Sequence, residues 1–544
     1  MKKVKVQIFQ TAPRLGDIEG NTQRIINAAL RAEENGVEVL LTPELSLCGS
    51  PAEDLLMRED FVEKCGDCLE TLRVSSTNFP HVAVVVGLPM YSETGLINAA
   101  VAVRDGYVLG IADGDGCAAV PEYFDEQSGG DMPVFEAGGI QFAVALSGSN
   151  TDIEADADMF CRSDDLGADV LLMPTLFNYE EDDLEARILH YSSYTIESQK
   201  PLITANAAGG QDELVFDGRS FAADEDGLKA LLPDFVEAEQ VVELAVNDEG
   251  RAYIVGETVE VPEEDLSVFY NALVCGLRSY VEKCGFKGIV LGLSGGIDSA
   301  LVLKLAVDAV GADRVEAVMM PSKYTSRLSL DDAAALASNL GVKYEIIPIT
   351  PAFETMKSML SAEFEGYGED VTEENLQARI RGTLLMAISN KKGLMVAATG
   401  NKSEMAVGYT TLYGDLAGGF APIKDVLKTR VYQLCVWLND QSDKPVIPES
   451  IIMRAPSAEL RDNQTDQDSL PEYIMLDVML HAYIVDGRSV DELVEAGFDR
   501  AVVERVIKMV RTAEYKRRQA PIGTRVSRVS FGREWRYPIV NAFR

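Results

Sequence analysis

The chain has 544 residues, 47% of them hydrophobic and 25% charged, which is the balance of a soluble globular protein with room for two to four domains. Its formal net charge of −38 sets up a field that repels nucleic acid and anionic membranes, so neither is an expected partner. No run of 18 apolar residues occurs, and the polar start Met1-Lys2-Lys3 lacks the apolar core of a secretory leader, so a cytoplasmic protein is expected.

The first half alternates strand and helix patterns. Val4 to Phe9 reads as a strand, Asn21 to Asn35 as a helix closed by Gly36, and Val37 to Thr42 and Val82 to Leu88 as further strands. Asn98 to Arg104 and Tyr107 to Ala112 flank Asp105-Gly106, the signature of a hairpin with a tight turn. Phe142 to Leu146, Val170 to Met173 and Leu202 to Ala205 continue the series, predicting an α/β layered domain over residues 1–256. The eight cysteines (Cys48, Cys65, Cys68, Cys117, Cys161, Cys275, Cys284 and Cys435) are scattered. Cys65 and Cys68 are spaced as C-x-x-C, but no second pair lies at zinc spacing, so free, buried thiols of a reducing compartment are expected.

The acidic stretch 257–265, which contains Pro262, reads as a linker. A second domain, 266–544, follows. Ile289 to Gly292 is an apolar strand, Ser294-Gly295-Gly296-Ile297-Asp298-Ser299 a glycine-rich turn, and Ala300 to Val310 a helix. Backbone N–H groups at Gly295 and Gly296, together with the helix dipole, can face an anion. Asp298 would repel a bare phosphate, which calls for a bridging Mg²⁺. The Gly-Lys-Ser/Thr ending of a Walker A loop is absent. Val315 to Met320, Lys343 to Ile349 and Leu394 to Thr399 read as strands of a doubly wound parallel sheet, Rossmann-like, and residues beyond about 440 as mostly helical.

The loop resembles the SGGxDS loop of the N-type ATP pyrophosphatases. With Met320-Pro321-Ser322-Lys323-Tyr324-Thr325-Ser326, Glu374 to Gly382, Ala398-Thr399-Gly400-Asn401-Lys402-Ser403-Glu404, Tyr413 to Pro422, Ser457-Ala458-Glu459-Leu460 and Thr465 to Leu470, residues 265–544 resemble the synthetase domain of glutamine-dependent NAD⁺ synthetases. The resemblance implies a ligase that amidates deamido-NAD⁺ through an acyl adenylate, with ATP as substrate, Mg²⁺ as cofactor, and AMP and pyrophosphate released. It also implies a homo-oligomer, at least a dimer, with an octamer the larger alternative. By motif position Gly292, Leu293, Ser294, Gly295, Gly296, Ile297, Asp298 and Ser299 would hold ATP with Thr399 and Lys428. Asp298 and Glu404 would hold Mg²⁺, and Asp298, Glu404 and Lys428 would be the catalytic groups. Asn375, Arg379, Arg381, Glu404 and Lys516 would face deamido-NAD⁺. Taken alone, Arg379, Arg381 and the run Tyr515 to Arg518 also suit solvated helix faces.

The first half resembles the nitrilase-like amidases that supply ammonia to such synthetases. Thr42-Pro43-Glu44-Leu45 matches the strand-end glutamate motif, which makes Glu44 the base candidate, and Pro121, Tyr123 and Phe124-Asp125-Glu126 echo a second motif. That chemistry uses a cysteine nucleophile, a glutamate and a lysine. Here the strand Phe142 to Leu146 runs into Ser147-Gly148-Ser149, and no lysine occurs between Lys64 and Lys200. A serine hydroxyl is a far weaker nucleophile than a thiolate without an activating base. The expectation is a degenerate amidase site at Glu44 and Ser147, and a synthetase that uses free ammonia. The alternatives are a glutamine-hydrolysing enzyme whose nucleophile is Cys117 or Cys161, ammonia from a separate glutaminase that docks here, and a nucleotide-sensing scaffold without catalysis.

Overall fold

A computed structural model describes residues 3–93, 95–114, 123–124, 131–146, 153–462 and 464–543, with backbone alone at 153–155. The chain forms two compact units, 1–211 with 215–265, and 212–214 with 266–544.

The first unit is built on two sheets. One runs in the order Ala252–Ile254, Ala238–Val246, Val4–Gln10, Val39–Leu41, Ala83–Tyr91, Leu96–Arg104, Tyr107–Gly114, the other in the order Gly227–Leu231, Phe221–Asp224, Leu202–Asn206, Val170–Thr175, Ile140–Val144, Val134–Ala137. Val4 to Gln10 pairs antiparallel with 238–244 and parallel with 39–41, so it lies between neighbours and all of it but the half-buried Lys5 is buried, the polar Gln7 and Gln10 included. Val6, Ile8, Val85, Phe142, Val170 and Ile203 form a core shared by the two sheets. A second core joins the six-stranded sheet to the helices Ile153–Asp165 and Leu184–Ser198 through Phe160, Leu171, Ile188 and Phe221. This is the α/β sandwich read from the sequence. The hairpin is where expected, with Asp105 and Gly106 at φ 47° and 81°, as a type I′ turn requires. The first helix begins at Ile18 instead of Asn21, because Asp17 caps it by accepting from the Gly20 N–H at 3.2 Å. The segment read as a linker lies along the first unit: the Val259 N–H bonds the Leu228 carbonyl, and Glu264 pairs with Arg219.

The second unit holds a four-stranded sheet, ordered Lys343–Ile346, Val315–Met319, Ile289–Gly292, Met395–Val396, with every pairing parallel. The strand order reverses at Ile289–Gly292, as in a doubly wound sheet, and that is where such sheets bind ligands. Val290, Val318 and Val396 pack one face against Phe353, Ile380 and Leu385 of the helices Thr350–Leu360 and Val371–Lys392. The outer strands are shorter than the sequence predicts. Only Met395 and Val396 of the 394–399 run pair as a strand, with Ala397 and Ala398 continuing as an isolated bridge to Phe420, and the 343–349 run ends at Ile346. Beyond residue 440 the helices Tyr473–Ile484 and Arg500–Thr512 pack with Met405, Leu416 and Phe531 into a separate core.

Cys48, Cys65, Cys68, Cys275 and Cys435 are free and buried, whereas Cys161 and Cys284, also free, are exposed, contrary to the expectation of buried thiols throughout. Among the described residues no helix is long and apolar enough to cross a membrane.

Candidate active site

The glycine turn sits at the carboxyl end of Ile289–Gly292, and the helix Ile297–Val310 begins at once. Gly295 has φ +79°, and a Cβ there would stand 2.5 Å from the Ser329 carbonyl oxygen, so only glycine fits. The loop is closed on itself. The Ser294 N–H bonds Ser299 Oγ at 3.2 Å, and the Gly296 N–H bonds Ser294 Oγ at 3.1 Å. This corrects one expectation: the Gly296 N–H is taken by a serine hydroxyl and does not stand free for an anion.

Asp298, on the first turn of that helix, meets side chains from two other elements. Its Oδ1 accepts from Asn401 Nδ2 at 2.9 Å, and its Oδ2 from Lys428 Nζ. Lys428 Nζ also reaches Glu404 Oε1 at 3.2 Å and lies 5.3 Å from the centre of the Tyr473 ring. Asn401 caps the short helix Lys402–Val407 by accepting from the Glu404 N–H at 3.0 Å, so one side chain orients both Asp298 and Glu404. Tyr473 Oη donates to Asp466 at 2.8 Å. Lys428 is only 2% exposed. Burial works against its charge, but Asp298 and Glu404 hold it protonated well above the ordinary lysine value. Burial pushes the Glu404 carboxyl up to about 8, with Lys428 opposing the rise and Asp298 and Asp466 adding to it. Burial likewise lifts Asp415 to about 6 and lowers Arg381 to about 10.

Asp298, Glu404, Asp415, Lys428, Asp466 and Arg381 line a cleft of about 280 Å³ with Gly292, Leu293, Ser294, Gly296, Ile297, Ser299 and Thr399. Five acids, Asp298, Glu404, Asp415, Glu459 and Asp466, line it against three cations, Lys428, Arg381 and Arg454. Hard carboxylate oxygens with an excess of negative charge suit Mg²⁺, which takes one or two carboxylates and completes its shell with phosphates and water. Among the described residues no three acidic, His or Cys side chains chelate a metal unaided.

Three residues expected to face deamido-NAD⁺ do not line this cleft. Asn375 Oδ1 accepts from Thr411 Oγ1 at 2.8 Å, Arg379 Nε bonds the Leu412 carbonyl at 3.2 Å, and Lys516 Nζ bonds the Gly408 and Thr410 carbonyls at 2.7 Å each. All three brace the segment Gly408 to Leu412, and none lines the cleft. In the basic run 515–518, Arg517 is interior, paired with Glu514 at 2.9 Å and bonded to the Ala406 and Val510 carbonyls. The wall residues Arg454, Tyr409 and Asp466 carry no role in the sequence reading. Arg454 bonds Ser329 Oγ at 2.7 Å and the Gly295 carbonyl, tying the phosphate-sized loop down. Asp466 stands inside the quoted run Thr465 to Leu470, which was the available signal.

In the first unit Glu44 is 1% exposed and its Oε1 accepts from Asn98 Nδ2 at 2.8 Å. The following Leu45 has φ +50°, and Gly87 allows this backbone to pass, since a Cβ there would lie 2.4 Å from the Leu45 nitrogen. Ser147, Cys117, Pro121, Asp125 and Glu126 lie outside the described residues.

Comparison with known proteins settles the family. The NAD synthase family model matches residues 269–520. Over the whole chain and 99% of its own length, the glutamine-dependent NAD(+) synthetase of Acinetobacter baylyi is 41% identical. The chain belongs to the glutamine-dependent NAD⁺ synthetase family. The Thermotoga maritima member is 40% identical over the full length of both chains. The solved glutamine-dependent NAD⁺ synthetase from Acinetobacter baumannii, in complex with ADP, is 38% identical, covers 99% of each chain and superposes with a TM-score of 0.77. As a family member the protein is an NAD⁺ synthetase, a ligase of NAD biosynthesis that uses ATP.

Proposed function

We propose that ATP lies in the cleft at the end of Ile289–Gly292, with its phosphates toward the 292–299 loop and Lys428, and that deamido-NAD⁺ enters beside it with Arg381 near its anionic groups. The observation that carries this is the Asp298–Lys428–Glu404 cluster on the cleft wall at the point where the strand order reverses. That the Acinetobacter baumannii relative was solved with ADP supports an adenine nucleotide here. Thr399 is the cleft residue proposed for the adenosine or phosphate side, while Asn375, Arg379 and Lys516 would act through the 408–412 segment they brace.

The nicotinate carboxylate is a poor acyl donor, so one of its oxygens attacks the α-phosphorus and pyrophosphate leaves. Ammonia then attacks the acyl carbon, and AMP leaves. Lys428 contributes a fixed positive charge where negative charge builds on the phosphates, and its burial makes that charge act in a low dielectric. Asp298 and Glu404 would hold Mg²⁺, which neutralises the departing pyrophosphate. The route has a direct test. With ¹⁸O in the nicotinate carboxylate, one labelled oxygen appears in AMP; label absent from AMP would exclude the acyl adenylate.

For the nitrogen donor we propose free ammonia, on the strength of the sequence Ser147-Gly148-Ser149 where the resemblance calls for a cysteine and of the lysine-free stretch between Lys64 and Lys200. The second reading, hydrolysis of glutamine by the first unit, is the one favoured by the comparisons, since full-length relatives at about 40% identity are named glutamine-dependent. Providing glutamine in place of ammonium separates the two. We also propose a cytoplasmic protein, supported by the seven free cysteines among the described residues. A homo-oligomer and a docked glutaminase are the assemblies compatible with this reading.

A further inference from the structure

The helix Lys428–Asp440 presents Lys428 from its first residue, yet its cap position is Leu427, which has no side chain able to accept from the free N–H groups there. The acceptors come from two other elements. The Thr429 N–H bonds Asp477 Oδ2 at 2.8 Å, and the Lys428 N–H bonds Ser403 Oγ at 2.9 Å. Ser403 Oγ in turn donates to Asp477 Oδ1. Asp477 is 3% exposed and Ser403 fully buried. Ser403 immediately precedes Glu404, so a single carboxylate fixes the backbone beneath both Lys428 and Glu404. Asp477 stands one turn after Tyr473 on the helix Tyr473–Ile484, whose Tyr473 faces Lys428 and Asp466.

We infer that Asp477 is a positioning residue for the synthetase reaction, acting through Ser403 to set the Lys428–Glu404 geometry. It does not line the cleft, and it touches neither group's charged atoms in the hydrogen-bond network described above. A buried carboxylate that receives the hydroxyls of Ser403 and Thr429 and one backbone N–H is an expensive way to join two helices unless their relative placement matters, because an apolar contact would hold them as firmly. The inference rests on the proposed reading of Lys428 and Glu404 as ATP-side groups.

The test uses the full-length protein with ATP, Mg²⁺, deamido-NAD⁺ and ammonium, reading kcat and the KM for ATP separately. Asp477→Ala and Ser403→Ala are each expected to lower kcat by about 10- to 100-fold, the usual range for residues that orient a site from behind. The KM for ATP should change much less, since the 292–299 loop is untouched. Asp477→Asn keeps an acceptor for the Thr429 N–H but meets Ser403 Oγ only by donating to it, the reverse of the native bond, and should retain more turnover than Asp477→Ala. The double variant Ser403→Ala/Asp477→Ala should lose no more than the worse single, because the two act as one unit. Should Asp477→Ala fail to fold, Ser403→Ala and Asp477→Asn carry the same comparison. Parental kcat in folded Asp477→Ala or Ser403→Ala overturns the inference, as does a double variant whose loss is the product of the singles. Lys428→Met, run alongside, separates the two claims: its inactivity with a parental Asp477→Ala sinks only the positioning role, whereas parental turnover in Lys428→Met sinks the reading of the cleft itself.

Discussion

Lys428 is the side chain on which the site turns: its ammonium is shared by Asp298 and Glu404 with almost no exposure to water. Lys428→Met would leave two carboxylates facing each other in a buried place, so it is expected to destabilise the protein by about 3–5 kcal/mol and to abolish NAD⁺ formation. Urea unfolding and the ammonium assay read the two effects separately. Glu404 gives a pH dependence of definite sign. Its carboxyl, pushed up to about 8 by burial, binds a proton more tightly in the folded chain than in the unfolded one, where a glutamate titrates near 4.5. It therefore contributes stability that is complete below about pH 4.5 and lost as pH rises through about 8. Glu404→Gln removes that loss, so without nucleotide its stability relative to the parent should increase between pH 5 and 9; thermal unfolding across that range checks it, and a constant difference would contradict it. Asp298, Glu404 and Lys428 were legible in the sequence because each stands within or beside a motif. Arg454 was not, since a single arginine 159 residues after Gly295 gives no local signal that it will close on that glycine's carbonyl. Asn375, Arg379 and Lys516 were found as polar groups in motifs, but motif membership did not reveal that Arg379 and Lys516 bond backbone carbonyls of 408–412 and that Asn375 accepts from the Thr411 hydroxyl.

At the scale of elements, hydrophobic periodicity located the four strands of the second sheet and the helix after the glycine turn, but not the helices Val371–Lys392, Lys402–Val407 and Lys428–Asp440 that carry Arg381, Glu404 and Lys428, while pairing and capping decided where the elements stop. The strand at Ile289–Gly292 was readable because it is flanked on both sides and so is apolar throughout. The strands at the sheet margins were read too long, because apolar character continues past the last paired residue. The turn after Ile289–Gly292 depends on one residue. Gly295→Ala would bring a Cβ within 2.5 Å of a backbone oxygen at φ +79°. It should cost more than about 1 kcal/mol and weaken ATP binding severely. Calorimetric titration with ATP, beside a melting curve, measures both; normal affinity in a folded Gly295→Ala protein would mean that the loop does not set the nucleotide site.

At the scale of the molecule, two units of different architecture were foreseen from the sequence, and the family is shared along the whole chain. The nitrogen source is where sequence and kinship diverge. Relatives bearing the glutamine-dependent name run the full length of the protein, yet Ser147 follows the strand where that chemistry uses a cysteine, and the lysine has no counterpart. Glu44 accepts from Asn98 at the end of its strand, where Leu45 has φ +50°. The measurement that tests the nitrogen source most directly is NAD⁺ formation by the purified protein from ATP, Mg²⁺ and deamido-NAD⁺, with ammonium in one arm and ammonia-free glutamine in the other. NAD⁺ in the ammonium arm alone is the expected result; equal NAD⁺ in both arms would contradict it and establish a working glutaminase in the first unit.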